Sequence, residues 1–484
     1  MKPLGLALLS AILSVLVFPR FDMNFLAPLC LAPMFVAAAW ETSAKRRLLM
    51  GWAAGFIYWF GVCHWIAEVL HNYGGMNFAL VGLAFFLFCL LKAMNWAAFA
   101  WLAGYLVHSR WAVVLLAALW TGQERIYGPF GFAWFALGNA GADMGIPMRL
   151  APVTGVYGLS FVFAMMNAAV AMLILRRPRV HLAPLLLLPL LYLLPALPEI
   201  EQGNSTAVVV QPNIRERQDW TAAEAETAIR AMMLQALDVS SPRQPNSMIL
   251  FPEVPAPFYE NDPKLRDQAA QLAQVLQTPL LMGVVSHNPK GPLNSVIQVS
   301  PDGSFGPRYD KMNLVPFGEY VPEAFDWIGK ISEEAGSFQP GEKTVLFPVR
   351  DGRAGVYICY ESVLPHFVRG IVAQGAGVLV NLSNDGYFGQ SAAREQHLLL
   401  ARMRAAENRR WLLRATNDGI TVAVDPAGRI DRKLTPLRKA SARVRFSYIE
   451  QQTPYTRHGD WFVWGCLAVG LVAVFLVVSS RKRS

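Results

Sequence analysis

The chain has 484 residues, of which 54% belong to the set AVILMFWYC and only 16% are charged, against roughly 45–50% and about 25% in soluble domains. With 12% aromatic residues and a mean hydropathy of +0.31, it is neither a disordered chain, which lacks the apolar surface to collapse, nor one ordinary water-soluble domain. The 43 basic and 34 acidic residues, net +9, flank the apolar segments and form no basic stripe interleaved with aromatics, which argues for membrane topology and against nucleic acid.

Apolar stretches at about 4–18, 24–40, 50–70, 78–107, 111–123, 155–175 and 181–198 precede a polar region, and another covers 461–479. At roughly 17–25 residues per crossing this predicts a polytopic α-helical membrane bundle of about eight spans. Lys2 gives the first stretch the look of a signal peptide, but no small-x-small cleavage site follows and Phe18-Pro19-Arg20 leads into the next span. With a cytoplasmic N-terminus, Lys2, Lys45-Arg46-Arg47, Arg110, Arg176-Arg177-Pro178-Arg179 and Arg481-Lys482-Arg483 all fall inside; the opposite loops carry only Arg20, Arg125 and Arg149. The positive-inside rule then predicts both termini in the cytoplasm and the region between the last two spans outside, which in a bacterium is the periplasm. Glu68, Lys92, Glu124, His64 and His71 lie in or beside spans. Charge at that depth often marks function, but wetting at a span's end, snorkelling or pairing favours structural roles here.

The expected organisation is transmembrane helices over 1–200, an external domain over 201–458, and a last span with a basic cytoplasmic tail over 459–484. In the external region Ala207–Gln211, Met248–Pro252, Leu280–Val285, Ser295–Ser300, Gly355–Tyr360 and Val378–Leu382 read as strands bounded by turn residues. Lys264–Gln277, apolar at Leu265, Ala269, Leu272 and Leu276, and Ala392–Arg409 read as helices. Alternation of the two predicts an α/β sheet covered by helices. Neither Cys-x-x-Cys nor His-Glu-x-x-His occurs, and nothing calls for a metal or an organic cofactor.

Four of the five cysteines, Cys30, Cys63, Cys89 and Cys466, lie in long apolar runs, where a thiol packs as a small hydrophobe. Cys359 differs, because it closes the strand Gly355-Val356-Tyr357-Ile358, at the carboxyl edge where α/β folds gather ligands. Glu253 follows the apolar strand Met248-Ile249-Leu250-Phe251 and Pro252; desolvation at such an edge raises a carboxylate toward the range of a general base. Lys311 opens the run Met312-Asn313-Leu314-Val315-Pro316-Phe317-Gly318-Glu319-Tyr320-Val321-Pro322. Taken singly, each has an ordinary structural explanation. Together, an acid, an amine and a thiol supply what thiol-based acyl transfer needs: a base for the thiol proton, a nucleophile, and a cation for the oxyanion, helped by a backbone N–H such as that of Tyr360. None of the eight histidines occupies a comparable setting in the sequence, which argues against a Cys-His protease.

Phe-Pro-Glu253, Lys311 with Leu-Val-Pro-Phe-Gly-Glu-Tyr-Val-Pro, Cys359-Tyr-Glu and Asn381-Leu-Ser-Asn-Asp385 resemble the nitrilase (carbon-nitrogen hydrolase) superfamily. Val-Pro-Phe-Gly-Glu-Tyr-Val-Pro, Ala-Arg-Met-Arg-Ala-Ala-Glu, Arg414-Ala-Thr-Asn-Asp-Gly-Ile-Thr and Thr453-Pro-Tyr followed by Gly459-Asp-Trp are similar, within it, to the apolipoprotein N-acyltransferase family. The resemblance covers about Val208 to Trp461. It implies a nitrilase-like αββα sandwich, with Glu253 as base, Lys311 as oxyanion-stabilising amine and Cys359 as acyl-carrying nucleophile. It also implies that Glu319 and Glu361 orient the triad and that Tyr360 and Trp220 lie near it. The implied partners are a phospholipid acyl donor in the bacterial inner membrane and the S-diacylglyceryl cysteine of an apolipoprotein as acceptor. Phe258, Tyr259, Trp327, Tyr387 and Phe388 fall in predicted loops and are candidates for a lipid entrance, with core packing as the equal alternative. A membrane-anchored nitrilase-type amidase and a non-catalytic lipoprotein-handling scaffold are the competing readings.

Overall fold

The computed structural model describes residues 2–72, 76–127, 131–199, 203–215, 217, 219–316, 318–320 and 338–481. The chain divides into two compact units, one made of Met1–His71, Met76–Leu197 and His458–Ser484, the other chiefly of Pro198–Arg457.

The first unit is helical. Among the described residues, Phe78–Leu106, Val156–Ile174 and Trp461–Ser480 are long and apolar enough to cross a membrane, and Ala44–Cys63 with Trp65–Asn72 joins them as a pair bent by 57°. Lys2–Leu16 and Ala112–Glu124 are apolar but shorter. Three or four helices therefore meet the length of a span, against about eight apolar stretches. The stretch at 181–198 shows why: Arg179–Leu193 is a 3₁₀-helix containing Pro184 and Pro189, since proline removes a backbone donor and clashes with the preceding turn of an α-helix. At about 2.0 Å per residue, its 15 residues extend roughly 30 Å.

Close helix approach in this unit rests on small residues. A Cβ at Gly51 would stand 2.6 Å from both Ala100 Cβ and the Trp96 carbonyl oxygen, so glycine there sets how near Ala44–Cys63 comes to Met94–Leu106. The buried charges are fastened to backbone. Lys92 Nζ donates to the carbonyls of Tyr127 and, at 2.7 Å, Phe132, and lies 4.6 Å from the centre of the Trp59 ring. Glu124 accepts from Trp120 Nε1 at 2.9 Å and from Leu137 N at 2.8 Å. These contacts are those of structural groups.

The second unit has two six-stranded sheets. Its strands are β1 (Ser205–Gln211), β2 (Met248–Leu250), β3 (Leu280–Asn288), β4 (Gly291–Val299), β5 (Phe305–Asp310), β6 (Leu346–Val349), β7 (Gly352–Ile358), β8 (Val378–Ser383), β9 (Leu412–Thr416), β10 (Val422–Val424), β11 (Ile430–Lys433) and β12 (Ala440–Phe446). The orders are β12-β1-β2-β3-β4-β5 and β11-β10-β9-β8-β7-β6. Parallel pairing joins β1 to β2 and β2 to β3 in one sheet, and β7 to β8 and β8 to β9 in the other.

Side-chain alternation makes the layers. Ala207, Val209, Leu250 and Val296 of one sheet share a core with Val356, Ile358, Val380 and Leu413 of the other. Val208, Val210 and Met282 point the opposite way, onto the helices Ala222–Asp238 and Pro263–Leu276. Tyr357, Leu379 and Leu412 point away from the shared core onto Pro365–Ala373 and Ala393–Asn408. This is the helix–sheet–sheet–helix sandwich of the nitrilase-like fold. Sequence periodicity finds neither Ala222–Asp238, which Thr221 and Glu224 open with a reciprocal capping box, nor the short outer strands β10 and β11.

Candidate active site

Three strand ends deliver the predicted chemistry. β2 stops at Leu250, because Pro252 cannot donate to a ladder, and Glu253 follows it. β5 ends at Asp310, and Lys311 N continues to donate to Asn294 O at 2.8 Å. β7 ends at Ile358 and turns directly into the 3₁₀ segment Cys359–Val363. Cys359 itself has φ +47°, a left-handed conformation that costs a residue with a Cβ about 1–2 kcal/mol. The strand, instead of running on to Tyr360 as its composition predicts, breaks sharply at its nucleophile.

Glu253, Lys311 and Cys359 are 6%, 1% and 8% exposed. Lys311 Nζ lies 3.3 Å from Glu253 Oε1 and 2.8 Å from Glu319 Oε1. Asn294 Nδ2 donates to the same two oxygens, at 2.7 and 3.0 Å, and Asn384 N donates to Glu253 Oε2 at 2.7 Å. Asn294, one residue outside the predicted strand Ser295–Ser300, is thus a site residue that sequence reasoning misses. Glu319 is further held by Val315 N at 2.8 Å, so the loop after Lys311 closes on its own lysine.

Burial pushes the Glu253 carboxyl above its ordinary range; Lys311 opposes that shift and Glu319 reinforces it. Burial alone would make Lys311 give up its proton, but the Glu253 and Glu319 carboxylates outweigh it and hold the ammonium well above the usual lysine range. The Cys359 thiol is pushed up by burial and by Glu253, with Lys311 and a hydrogen bond to Ser383 acting the other way. The resting state is a protonated thiol beside a basic carboxylate and a fixed cation, which suits proton transfer during attack.

Glu361 works differently from Glu319. It is fully buried and accepts from Tyr309 OH at 2.7 Å, Met312 N at 2.9 Å, Asn313 N at 3.0 Å and Ile358 N at 2.8 Å. One carboxylate therefore ties the segment after Lys311 to the residue before Cys359. Glu361→Gln puts an amide donor against donors. With charge-assisted hydrogen bonds worth about 1.5–3 kcal/mol each, a loss of roughly that size is expected, seen as a lowered thermal midpoint together with slower alkylation of Cys359.

Tyr360 is buried beside the nucleophile. Trp220 packs, half-buried, on the cluster that contains Phe251 and Phe258, with the Arg217 guanidinium 4.4 Å from its ring centre. Of the candidates for a lipid entrance, Phe258 takes the core-packing alternative. Phe258 is a fully buried core residue, because its segment pairs with β3: Val285 N donates to Phe258 O at 2.8 Å, and Tyr259 bridges Val285. Tyr259 and Tyr387 are each 44% exposed; Phe388 is partly buried, edge-on to the His397 ring at 5.8 Å. Trp327 lies outside the described residues. A histidine that sequence reasoning does not single out also lies close by: His397 Nε2 is 3.0 Å from the backbone carbonyl oxygen of Cys359. One signal was available: His397 shares a helix face with Ala393, Leu400, Ala401 and Arg404, all buried, and polar groups on a buried face require partners.

The second unit is a carbon-nitrogen hydrolase domain: the family model described as "Carbon-nitrogen hydrolase" matches residues 206–451. The model "Apolipoprotein N-acyltransferase N-terminal domain" matches residues 10–169. Proteins named apolipoprotein N-acyltransferase from Geobacter metallireducens and Azotobacter vinelandii are 32% and 31% identical to the chain, covering 99% of it in each case and 95% and 96% of themselves. One from Chlorobaculum tepidum is 30% identical over 100% of the chain and 97% of its own length. The chain belongs to the apolipoprotein N-acyltransferase family. Among solved structures, a mutant of an amidase of the nitrilase superfamily from Nesterenkonia AN1 is 18% identical, covers 55% of the chain and 98% of itself, and superposes with a TM-score of 0.41.

Proposed function

We propose that this enzyme moves an acyl chain from a membrane phospholipid to the α-amine of the S-diacylglyceryl cysteine of an apolipoprotein, with Cys359 carrying the acyl group between the two. The observation that carries the assignment of roles is the buried Glu253–Lys311–Glu319 cluster acting on a nucleophile held at a strand end. In the first half-reaction the Cys359 S–H proton passes to Glu253 as sulfur attacks the ester carbonyl. The oxyanion faces the Lys311 ammonium and the Tyr360 backbone N–H. The ester C–O bond then breaks, Glu253 returns the proton to the leaving alkoxide, and a lysophospholipid departs. In the second, the acceptor amine attacks the thioester, its proton passes through Glu253, and the thiol is regenerated as the amide forms. No cofactor takes part in this scheme.

The same reading takes the chain as a bundle of about eight spans over 1–200 and 459–484, with both termini cytoplasmic and the domain over 201–458 in the periplasm at the bacterial inner membrane; it is supported by the apolar stretches and the charge bias of the sequence and by the three or four described helices of spanning length. Drawing roughly a dozen methylenes out of lipid at about 0.8 kcal/mol each costs about 10 kcal/mol, which a site at the membrane surface avoids. Tyr259, Tyr387 and Phe388 are the remaining described candidates for a lipid entrance.

The full chain incubated with phospholipid is expected to gain a hydroxylamine-sensitive acyl mass that peptide mapping places on Cys359. A lipopeptide amine should discharge it much faster than water does. Discharge by water alone would instead indicate an amidase-like hydrolase, and no adduct at all would indicate the binding scaffold.

A further inference from the structure

The left-handed backbone at Cys359 needs something to hold it, and the structure contains a buried polar network directly behind it. His397 is completely inaccessible. Its Nε2 lies 3.0 Å from the Cys359 carbonyl oxygen and 2.8 Å from Ser362 Oγ; its Nδ1 lies 2.9 Å from an Arg414 guanidinium nitrogen and 3.2 Å from Asp385 Oδ1. Nδ1 has a donor and an acceptor before it, and the Arg414 nitrogen, which only donates, is nearer than Asp385 Oδ1; with the Nδ1 lone pair turned to Arg414, the ring proton is on Nε2. There it meets a carbonyl, which only accepts. The rest of the network fixes this arrangement. Arg414 reaches the two Asp385 oxygens at 2.8 and 2.9 Å and also bonds Asn381 Oδ1; Ser383 Oγ donates to Asp385 Oδ1 at 2.8 Å and bonds the Cys359 thiol. Burial and the Arg414 charge lower the proton affinity of the imidazole, outweighing Asp385 and the Cys359 carbonyl, which act the other way.

We propose that His397 is a positioning residue: locked as the Nε2–H tautomer by Arg414, it grips the Cys359 carbonyl and so maintains the backbone turn that aims the sulfur at Glu253 and Lys311. The proposal deepens the acyl-transfer reading and rests on Cys359 being the acyl carrier. His397 exchanges no proton in the reaction; it sets geometry, and a misplacement of about 1 Å at a reacting atom costs on the order of 10²-fold in rate.

The test compares His397→Gln, whose terminal amide nitrogen can donate to the same carbonyl, with His397→Phe, which fills the space without a donor, both in the full chain. Acyl-adduct formation is followed in single turnovers across pH, and Cys359 alkylation by iodoacetamide is followed separately. His397→Phe should lose about 10²-fold in the saturating acylation rate, with the half-saturating phospholipid concentration unchanged. His397→Gln should recover most of that rate and keep the pH profile of the unmodified protein. If His397→Phe does not fold, His397→Asn, too short to reach the carbonyl, takes its place and should be slower than His397→Gln. The proposal is overturned if Gln is as slow as Phe or Asn, if Phe acylates normally, or if Gln removes a limb of the pH profile, which would make His397 a proton carrier. Iodoacetamide needs no phospholipid. An unmodified chain that forms no adduct therefore defeats the acyl-carrier reading, while the order of alkylation rates, Gln above Phe or Asn, still decides the role of His397.

Discussion

Glu253→Gln is expected to slow acyl-adduct formation on Cys359 by about 10³-fold near neutral pH, within the range of roughly 10²–10⁴ for loss of a general base. The reason is the protonation state of the resting site. Burial and the Glu253 charge hold the Cys359 proton on sulfur, so little thiolate is present until a base removes the proton during attack. Glutamine preserves size and still accepts from Asn384 N, the contact Glu253 makes at 2.7 Å, but it takes no proton. The pH dependence checks the assignment independently. The working form of Glu253 is the carboxylate, and burial raises its pKa. Acylation by the unmodified chain should therefore fall as pH drops through an apparent value above the ordinary carboxylate range. In Glu253→Gln that acid limb should vanish, and the residual rate should climb toward the alkaline region where the thiol ionises unaided. Single-turnover mass measurements over a pH series provide both results. An acid limb that survived the substitution would move the base to another residue.

How much of this site is legible in the sequence follows from where its parts lie. Glu253 and Cys359 stand out because β2 and β7 are covered on both faces and so read as unbroken apolar runs ending in a reactive residue. Lys311 follows β5, a mostly half-buried strand, and is informative only beside the other two. The two helper glutamates are indistinguishable by position in the chain, yet one bonds the lysine and the other bonds the backbone that follows the lysine and the backbone that precedes the cysteine. His397 and Arg414 are 17 residues apart on a helix and on β9. Only the packing of that helix on its sheet turns two isolated polar residues into one support. Phe258 shows the reverse error: a residue between turn-formers reads as loop, and only pairing of its segment with β3 reveals that it points inward. In the helical unit, composition locates the apolar segments well, but the prolines at 184 and 189 change the kind of helix, and with it the length that a fixed number of residues reaches.

Lys311→Met should combine a loss of at least about 10³-fold in acylation with a marked fall in thermal midpoint, and the two effects have separable causes. The ammonium is the site's fixed cation, and removing one oxyanion-stabilising donor costs about 10²–10³-fold. It is also the counter-charge to two carboxylates, at 3.3 and 2.8 Å, that among the described residues are otherwise bridged on that side by Asn294. Breaking a buried ion pair by removing one partner typically costs about 3–5 kcal/mol. The site can limit that cost by retaining a proton on Glu253, but a protonated Glu253 is no longer a base, so the rate falls again. The folded-state pKa of Lys311 lies above the ordinary value. Its stabilising contribution is therefore complete below the usual lysine range and is lost only as pH rises through the raised value, so the midpoint difference between the two proteins should be full across the neutral range. The double variant Lys311→Met with Glu319→Gln removes one of the stranded charges. It should regain much of the midpoint while the acylation rate stays low, because stability needs only charge balance whereas catalysis needs the cation itself. If the rate returned along with the midpoint, Lys311 would be a structural counter-ion and the oxyanion would have to be stabilised by other donors.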